Sequence, residues 1–168
     1  MKADLDKMLV AKGFKVTGPY DSLDVMTFPD KQTATLTLTP IVDLRATQQP
    51  TNRTGTGSPL FPAREEGVYV IGGWISLVML EPLTGEKMWI KRIEVESFQE
   101  PYVHEYIVQQ SRQQVIPRTV TDTRPHALAA ALEKIYPEVM QKAWAYFHPE
   151  EVLQVKKQAE EARRLKRF

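Results

Sequence analysis

Residues 67–95, GVYVIGGWISLVMLEPLTGEKMWIKRIEV, constrain the fold more than any other stretch of the chain. Two apolar-rich runs flank Glu81-Pro82-Leu83-Thr84-Gly85-Glu86. Gly85 can take the positive φ that a tight connection needs, and Pro82 fixes its own φ on the way in. Both arms carry Val, Ile, Trp and Tyr, side chains that pack well on a pleated surface. The stretch reads as a long antiparallel hairpin over residues 67–96. A hairpin alone is marginal in water, so its apolar face needs a cover.

That cover is the helix expected over residues 125–147. Pro125 suits a first helical turn, where its missing N–H costs nothing, and Asp122 or Thr123 can cap it. Leu128, Ala131, Leu132, Ile135, Val139, Met140, Ala143, Trp144 and Phe147 recur at helical spacing and read as core. A second helix opens at Pro149-Glu150-Glu151, with acids in its first turn and bases in its last, as the helix dipole favours. The fold class is therefore α+β: an antiparallel sheet built on the 67–96 hairpin, a C-terminal helix on one face, and a charged terminal helix over 149–168.

Elsewhere the pattern is weaker. Leu5, Met8 and Leu9 before Lys12-Gly13 read as an amphipathic helix ending where glycine takes the left-handed position. Residues 14–17 read as a short strand, and 24–32 as a helical turn interrupted by Pro29. Thr33 to Arg45 alternates as a strand with one wet face, which Pro40 places at an edge or a bulge. Residues 46–66 offer almost nothing to bury before Leu60-Phe61 and read as a long loop. Residues 102–115 are undecided between helix and strand, and 116–124 read as an irregular connection. No linker divides the 168 residues, so one domain over 1–168 is expected.

The chemistry-bearing residues are sparse. Cysteine is absent, which excludes disulfides, thiolate catalysis and zinc ribbons. His104, His126 and His148 fall in different elements at no ligand spacing, so no metal or cofactor is expected. There is no GxSxG nucleophile elbow, and Gly55-Thr56-Gly57-Ser58 lacks the lysine and following helix of a phosphate loop. No catalytic residue stands out, and the chain reads as non-enzymatic. With 22 basic and 21 acidic residues, no global field attracts nucleic acid, and no strand interleaves aromatics with cations. Trp74 and Trp89, one in each arm, would stack on a sugar if turned outward. Turned inward they are core beneath the helix, the reading preferred here.

In order and spacing, several segments resemble the neuraminyllactose-binding haemagglutinin family, outer-membrane lipoproteins of the Helicobacter adhesin A type. The resemblance is carried by Lys12-Gly13-Phe14-Lys15-Val16, by Gly67-Val68 leading through Gly73 into Leu80–Glu86, by the helix ALAAALEKIYPEVMQ (127–141), and by the charged tail. It implies a surface protein anchored in the outer membrane by an N-terminal lipid, linked in that family to the cell surface and the flagellar sheath. It also implies that a strand, the first part of a helix and a lipidated signal region precede Met1.

The family's proposed glycan motif is a short Lys- and Arg-rich run after the strand equivalent to 36–44. Here that region offers Arg45, Gln48, Gln49, Asn52 and Arg53 as contacts for a sialylated glycan or host surface. The dense basic run is missing, which weighs against sialic-acid binding, since a sialate carboxylate calls for cationic donors. A second candidate surface is the basic end Arg163, Arg164, Lys166 and Arg167, facing anionic headgroups or an acidic partner. The expected function is an adhesin-like outer-membrane lipoprotein. The alternative is a scaffolding subunit of an envelope assembly, such as a flagellar sheath or secretion machine, acting by self-association or contact with envelope proteins. A small-ligand binding protein would need a pocket that the sequence does not display.

Overall fold

The hairpin turn is organised around one side chain. The Glu81 carboxylate accepts hydrogen bonds from the Leu83 and Thr84 amides at 3.1 and 2.6 Å. Its backbone closes the turn by pairing with Gly85 N and Glu86 O, and Gly85 takes φ 71°. In the computed structural model, which describes residues 1–110 and 115–166, this turn joins β2 (Ala63–Leu80) to β3 (Lys87–Gln110). Strands β1 (Thr37–Thr54) and β4 (Val115–Asp122) complete an antiparallel sheet in the order β1-β2-β3-β4. The helices are α1 (Lys2–Ala11), α2 (Phe28–Thr33), α3 (Arg124–Tyr146) and α4 (Pro149–Lys166). The expected α+β class holds.

The strands are longer than the patterning suggests. The expected 46–66 loop is largely sheet, because β1 continues to Thr54 and β2 begins at Ala63. Residues 116–122, expected to be irregular, form most of β4, with Ile107 opposite Arg118 and His104 opposite Asp122. The undecided segment after Tyr102 is β3 as far as Gln110. Pro40, Pro50 and Pro117 lie on the edge strands β1 and β4, where a missing donor is tolerated, whereas Pro101 lies in the central strand β3. Residues 14–17, expected as a strand, have no regular structure. Pro29 does not interrupt a helix: it lies in the first turn of α2, capped by Thr27 Oγ1.

The chain divides into two compact units, and β1, β2, β3 and α3 each pass from one to the other. The first comprises Met1–Asp43, Trp74–Glu94 and Glu138–Phe168. Its core is apolar: Leu5, Met8, Ile75, Leu77, Ile93, Phe147 and Val155 are all buried. Trp89 is buried and stacks on Phe147 at 5.7 Å, with its Nε1 donating to Glu151 at 2.8 Å. Trp74 is half-buried beneath the Arg92 guanidinium, 4.6 Å from the ring centre. The second unit comprises Leu44–Gly73 and Val95–Pro137, and its buried apolar set is Ile71, Tyr102, Ala127, Ala131 and Ile135.

Helix α3 buries Ala127, Ala131, Ile135, Val139 and Ala143, a narrower stripe than its apolar spacing suggests. Leu132 and Trp144 are about half exposed, at 49% and 47%. Trp144 instead receives the Lys12 ammonium 4.3 Å from its ring centre.

Candidate functional site

The glycan-contact residues expected on β1 do not behave as one surface. Gln48 donates through Nε2 to Glu65 Oε1 (2.9 Å) and to the Tyr102 hydroxyl (2.8 Å), and that hydroxyl donates to Glu65 Oε1 (3.1 Å). Arg53 grips the other carboxylate oxygen, Oε2, through Nε at 2.8 Å and a terminal nitrogen at 2.7 Å. Glu65 and Tyr102 are buried. Burial, the largest influence on Glu65, pushes its pKa up, but the hydrogen bonds from Tyr102, Arg53 and Gln48 together carry it below 4.5. The same burial raises the Tyr102 pKa, and the neighbouring carboxylate adds to that. Two of the five predicted contacts therefore serve a structural carboxylate, while Arg45, Gln49 and Asn52 are exposed.

Gly67 explains how the strands approach closely enough for this network. A Cβ there would lie 2.5 Å from Gln49 O and 2.6 Å from the Tyr102 hydroxyl. Only glycine admits both contacts.

The basic end of α4 is also mostly engaged. Arg163 donates through Nε to Glu81 Oε1 at 2.5 Å, and its terminal nitrogens donate to the carbonyls of Lys31 and Gln32 at 3.0 Å and to Ala34 O. Glu81 is fully buried. Burial alone would raise its pKa, but the Arg163 guanidinium and the Leu83 and Thr84 amides hold it below 4.5. Lys166 pairs with Glu86. Arg164 is 80% exposed and 4.0 Å from Glu161, and Arg167 lies outside the described residues. Of the three described cations at this end, Arg163 and Lys166 hold the hairpin turn and Arg164 stays exposed.

Two features were not visible in the sequence. The first is the connection 55–62. Thr56 N donates to Phe61 O, Phe61 N to Ser58 O, and Val108 N to Gly57 O at 2.6 Å. On this hydrogen-bonded turn Leu60 is 85% and Phe61 67% exposed. The second is a cleft of about 870 Å³ in the first unit, bounded by α1, residues 13–26, the start of β1, the end of β2 and α4. Neither has a periodic signal, because the cleft's walls come from distant segments.

His104, His126 and His148 remain dispersed, and no group of acidic or histidine side chains among the described residues is placed to hold a metal ion. His104 stacks on Tyr106 at 5.2 Å. No helix among the described residues is long and apolar enough to cross a membrane.

No protein-family model matches the chain, and no curated protein matches it by sequence. Among solved structures it is similar to a neuraminyllactose-binding hemagglutinin homolog from Helicobacter pylori, at 15% identity and a TM-score of 0.55. The match covers 92% of this chain and 75% of that one. What the two share at that identity is the fold.

Proposed function

We propose that this chain is a non-enzymatic, adhesin-like surface protein of the bacterial outer membrane, lipid-anchored and of the neuraminyllactose-binding haemagglutinin type. The observation that carries the reading is the shared fold over 92% of the chain, joined to the order of motifs from Lys12 to the charged tail. Sialic-acid recognition is the least supported part, because Arg53 and Gln48 are already held on Glu65. A sialate site on β1 would have to use Arg45, Gln49 and Asn52.

The test is made on the native protein in its own cells, by membrane fractionation and intact mass. A lipidated N-terminal cysteine upstream of Met1, in the outer-membrane fraction, is the expected result. A soluble, unlipidated protein starting at Met1 would overturn the lipoprotein reading. Glycan binding is tested separately by titration with sialyllactose, with loss in Arg45→Ala as the sign of a site on β1.

A second reading, a scaffolding subunit of an envelope assembly, is favoured by the Leu60–Phe61 tip. A hydrogen-bonded turn presenting two large apolar side chains to solvent is a contact element in search of a partner. Under this reading Leu60→Ser with Phe61→Ser removes co-purification with envelope proteins and leaves lipidation unchanged.

A further inference from the structure

The cleft in the first unit has the composition of a site for an amphiphile. Its inner wall includes Leu9, Phe14, Val16, Leu38 and Leu80, all half-buried, so each keeps apolar surface facing the cleft. An occupant that covered this surface would gain hydrophobic stabilisation in proportion to the area it removed from water. The volume, about 870 Å³, lies within the range of roughly 300–1,000 Å³ typical of small-molecule sites.

The charged residues on the lining are unequal in sign. They comprise Lys2, Lys12, Lys15 and Lys156 against Asp6 and Asp21. Of these, Asp21 is 3.6 Å from Lys2, Lys12 lies over Trp144, and Lys156 is 3.8 Å from Glu160. Lys15 is exposed between half-buried Phe14 and Val16, and has no ion-pair partner among the described residues. An apolar lining with four lysines against two carboxylates matches one ligand chemistry: an acyl chain ending in an anionic head. Residues from the segment 14–20, which has no regular structure, contribute to that lining.

We infer that this cleft binds a single-chain anionic amphiphile, with the acyl chain against Leu9, Phe14, Val16, Leu38 and Leu80 and the head near Lys15 and Lys156. The inference is independent of the adhesin reading, since it needs neither a glycan nor an anchor. The head is a carboxylate, as in a free fatty acid, or a phosphate, as in a lysophospholipid.

The full chain is titrated with the fluorescent fatty acid parinarate, which is then displaced by palmitate, lysophosphatidylglycerol or the neutral alcohol hexadecanol. The expected result is saturable binding of one parinarate per chain. At least one anionic competitor should displace it about tenfold better than hexadecanol, a difference of about 1.4 kcal/mol. Displacement by palmitate alone assigns a fatty acid, and by lysophosphatidylglycerol alone a phospholipid. Lys15→Glu with Lys156→Glu, at two exposed positions, should remove that preference while circular dichroism stays unchanged. Val16→Trp, which fills the cleft, should abolish binding. Failure to saturate, equal displacement by hexadecanol, or unchanged affinity in the charge-reversal variant would each overturn the inference. So would a dimer of the free chain whose interface covers the cleft and whose dissociation is indifferent to palmitate.

Discussion

Glu81 in the first compact unit and Glu65 in the second are both buried, and the two are satisfied in different ways. Glu81 sits at the hairpin turn and is held by two turn amides and by Arg163, 82 residues away in sequence. Arg163 in turn holds three carbonyls that end α2. Glu65 is held by Gln48, Tyr102 and Arg53, all on the strands beside it. The first arrangement ties a helix, a turn and a loop together through one guanidinium. The second spreads the same task over three side chains, one of them a largely exposed arginine. Each glutamate has one cationic partner, but Arg163 is 19% exposed and Arg53 72%, so solvent screens the Glu81 pair far less and its loss leaves the more deeply buried charge uncompensated.

The largest expected effect follows from that contrast. Arg163→Ala should destabilise the protein by roughly 3–5 kcal/mol, the usual penalty for leaving a buried charge uncompensated. Urea unfolding of the variant and of the wild type measures it. A loss no greater than that of Arg53→Ala would show that the two arginines support their glutamates equally.

Second comes Gly67→Ala. The added methyl would meet a backbone carbonyl and a buried phenol ring at 2.5–2.7 Å, and neither can move without disturbing the strand pairing. Overpacking of this kind costs about 1–3 kcal/mol, and a lower denaturation midpoint at unchanged slope would report it. The Glu65 network should loosen with it, seen as faster amide exchange along β1 and β2.

Acid titrates both buried glutamates. Both glutamates have folded-state pKa values below the ordinary 4.5. Each therefore stabilises the fold above about pH 4.5, and that contribution disappears as pH falls through the folded-state value. In Arg163→Ala the strongest of the groups holding the Glu81 pKa down is gone, so ionised Glu81 contributes less to stability than in the wild type. The stability gap between wild type and variant should then narrow as pH drops below 4.5, a trend followed by urea midpoints across an acid series. Asp122, whose pKa Arg124 brings down to about 2, should retain its contribution until well below the range in which the glutamates lose theirs.

How much of this was legible in the sequence depends on whether an element is held by apolar periodicity or by polar pairing. The hairpin, its turn at Glu81–Glu86 and the two C-terminal helices carry caps, turn residues and periodic apolar side chains, and they are where the sequence places them. The distal half of β1 has no such signal. Its residues, Thr47 to Thr54, are polar because they pair with polar partners: Gln48 with Glu65, and Thr51 Oγ1 with Glu66 O. A strand satisfied by hydrogen bonds looks like a loop when its partner is unknown. Arg163 was misleading for the same reason, since a basic residue in the last turn of a helix ordinarily faces water. Its partner lies in a turn far away in sequence, and nothing local marks it. The cleft was invisible because its wall joins α1, β1 and β2 residues that share no period.

Arg53→Ala should cost less than 1 kcal/mol. Its side chain is 72% exposed, so solvent weakens the pair, and Gln48 and Tyr102 continue to hold Glu65. The smallest effect on stability is expected at the Leu60–Phe61 tip. Both side chains already face solvent, so Leu60→Ser with Phe61→Ser should change unfolding free energy by no more than about 0.5 kcal/mol. The turn survives because its hydrogen bonds run between backbone groups and the Ser58 hydroxyl, none of which the substitutions touch. An unchanged denaturation midpoint with lost envelope association would separate contact from folding in this segment. A clear loss of stability would instead show that these side chains are covered in solution and belong to the fold's own packing.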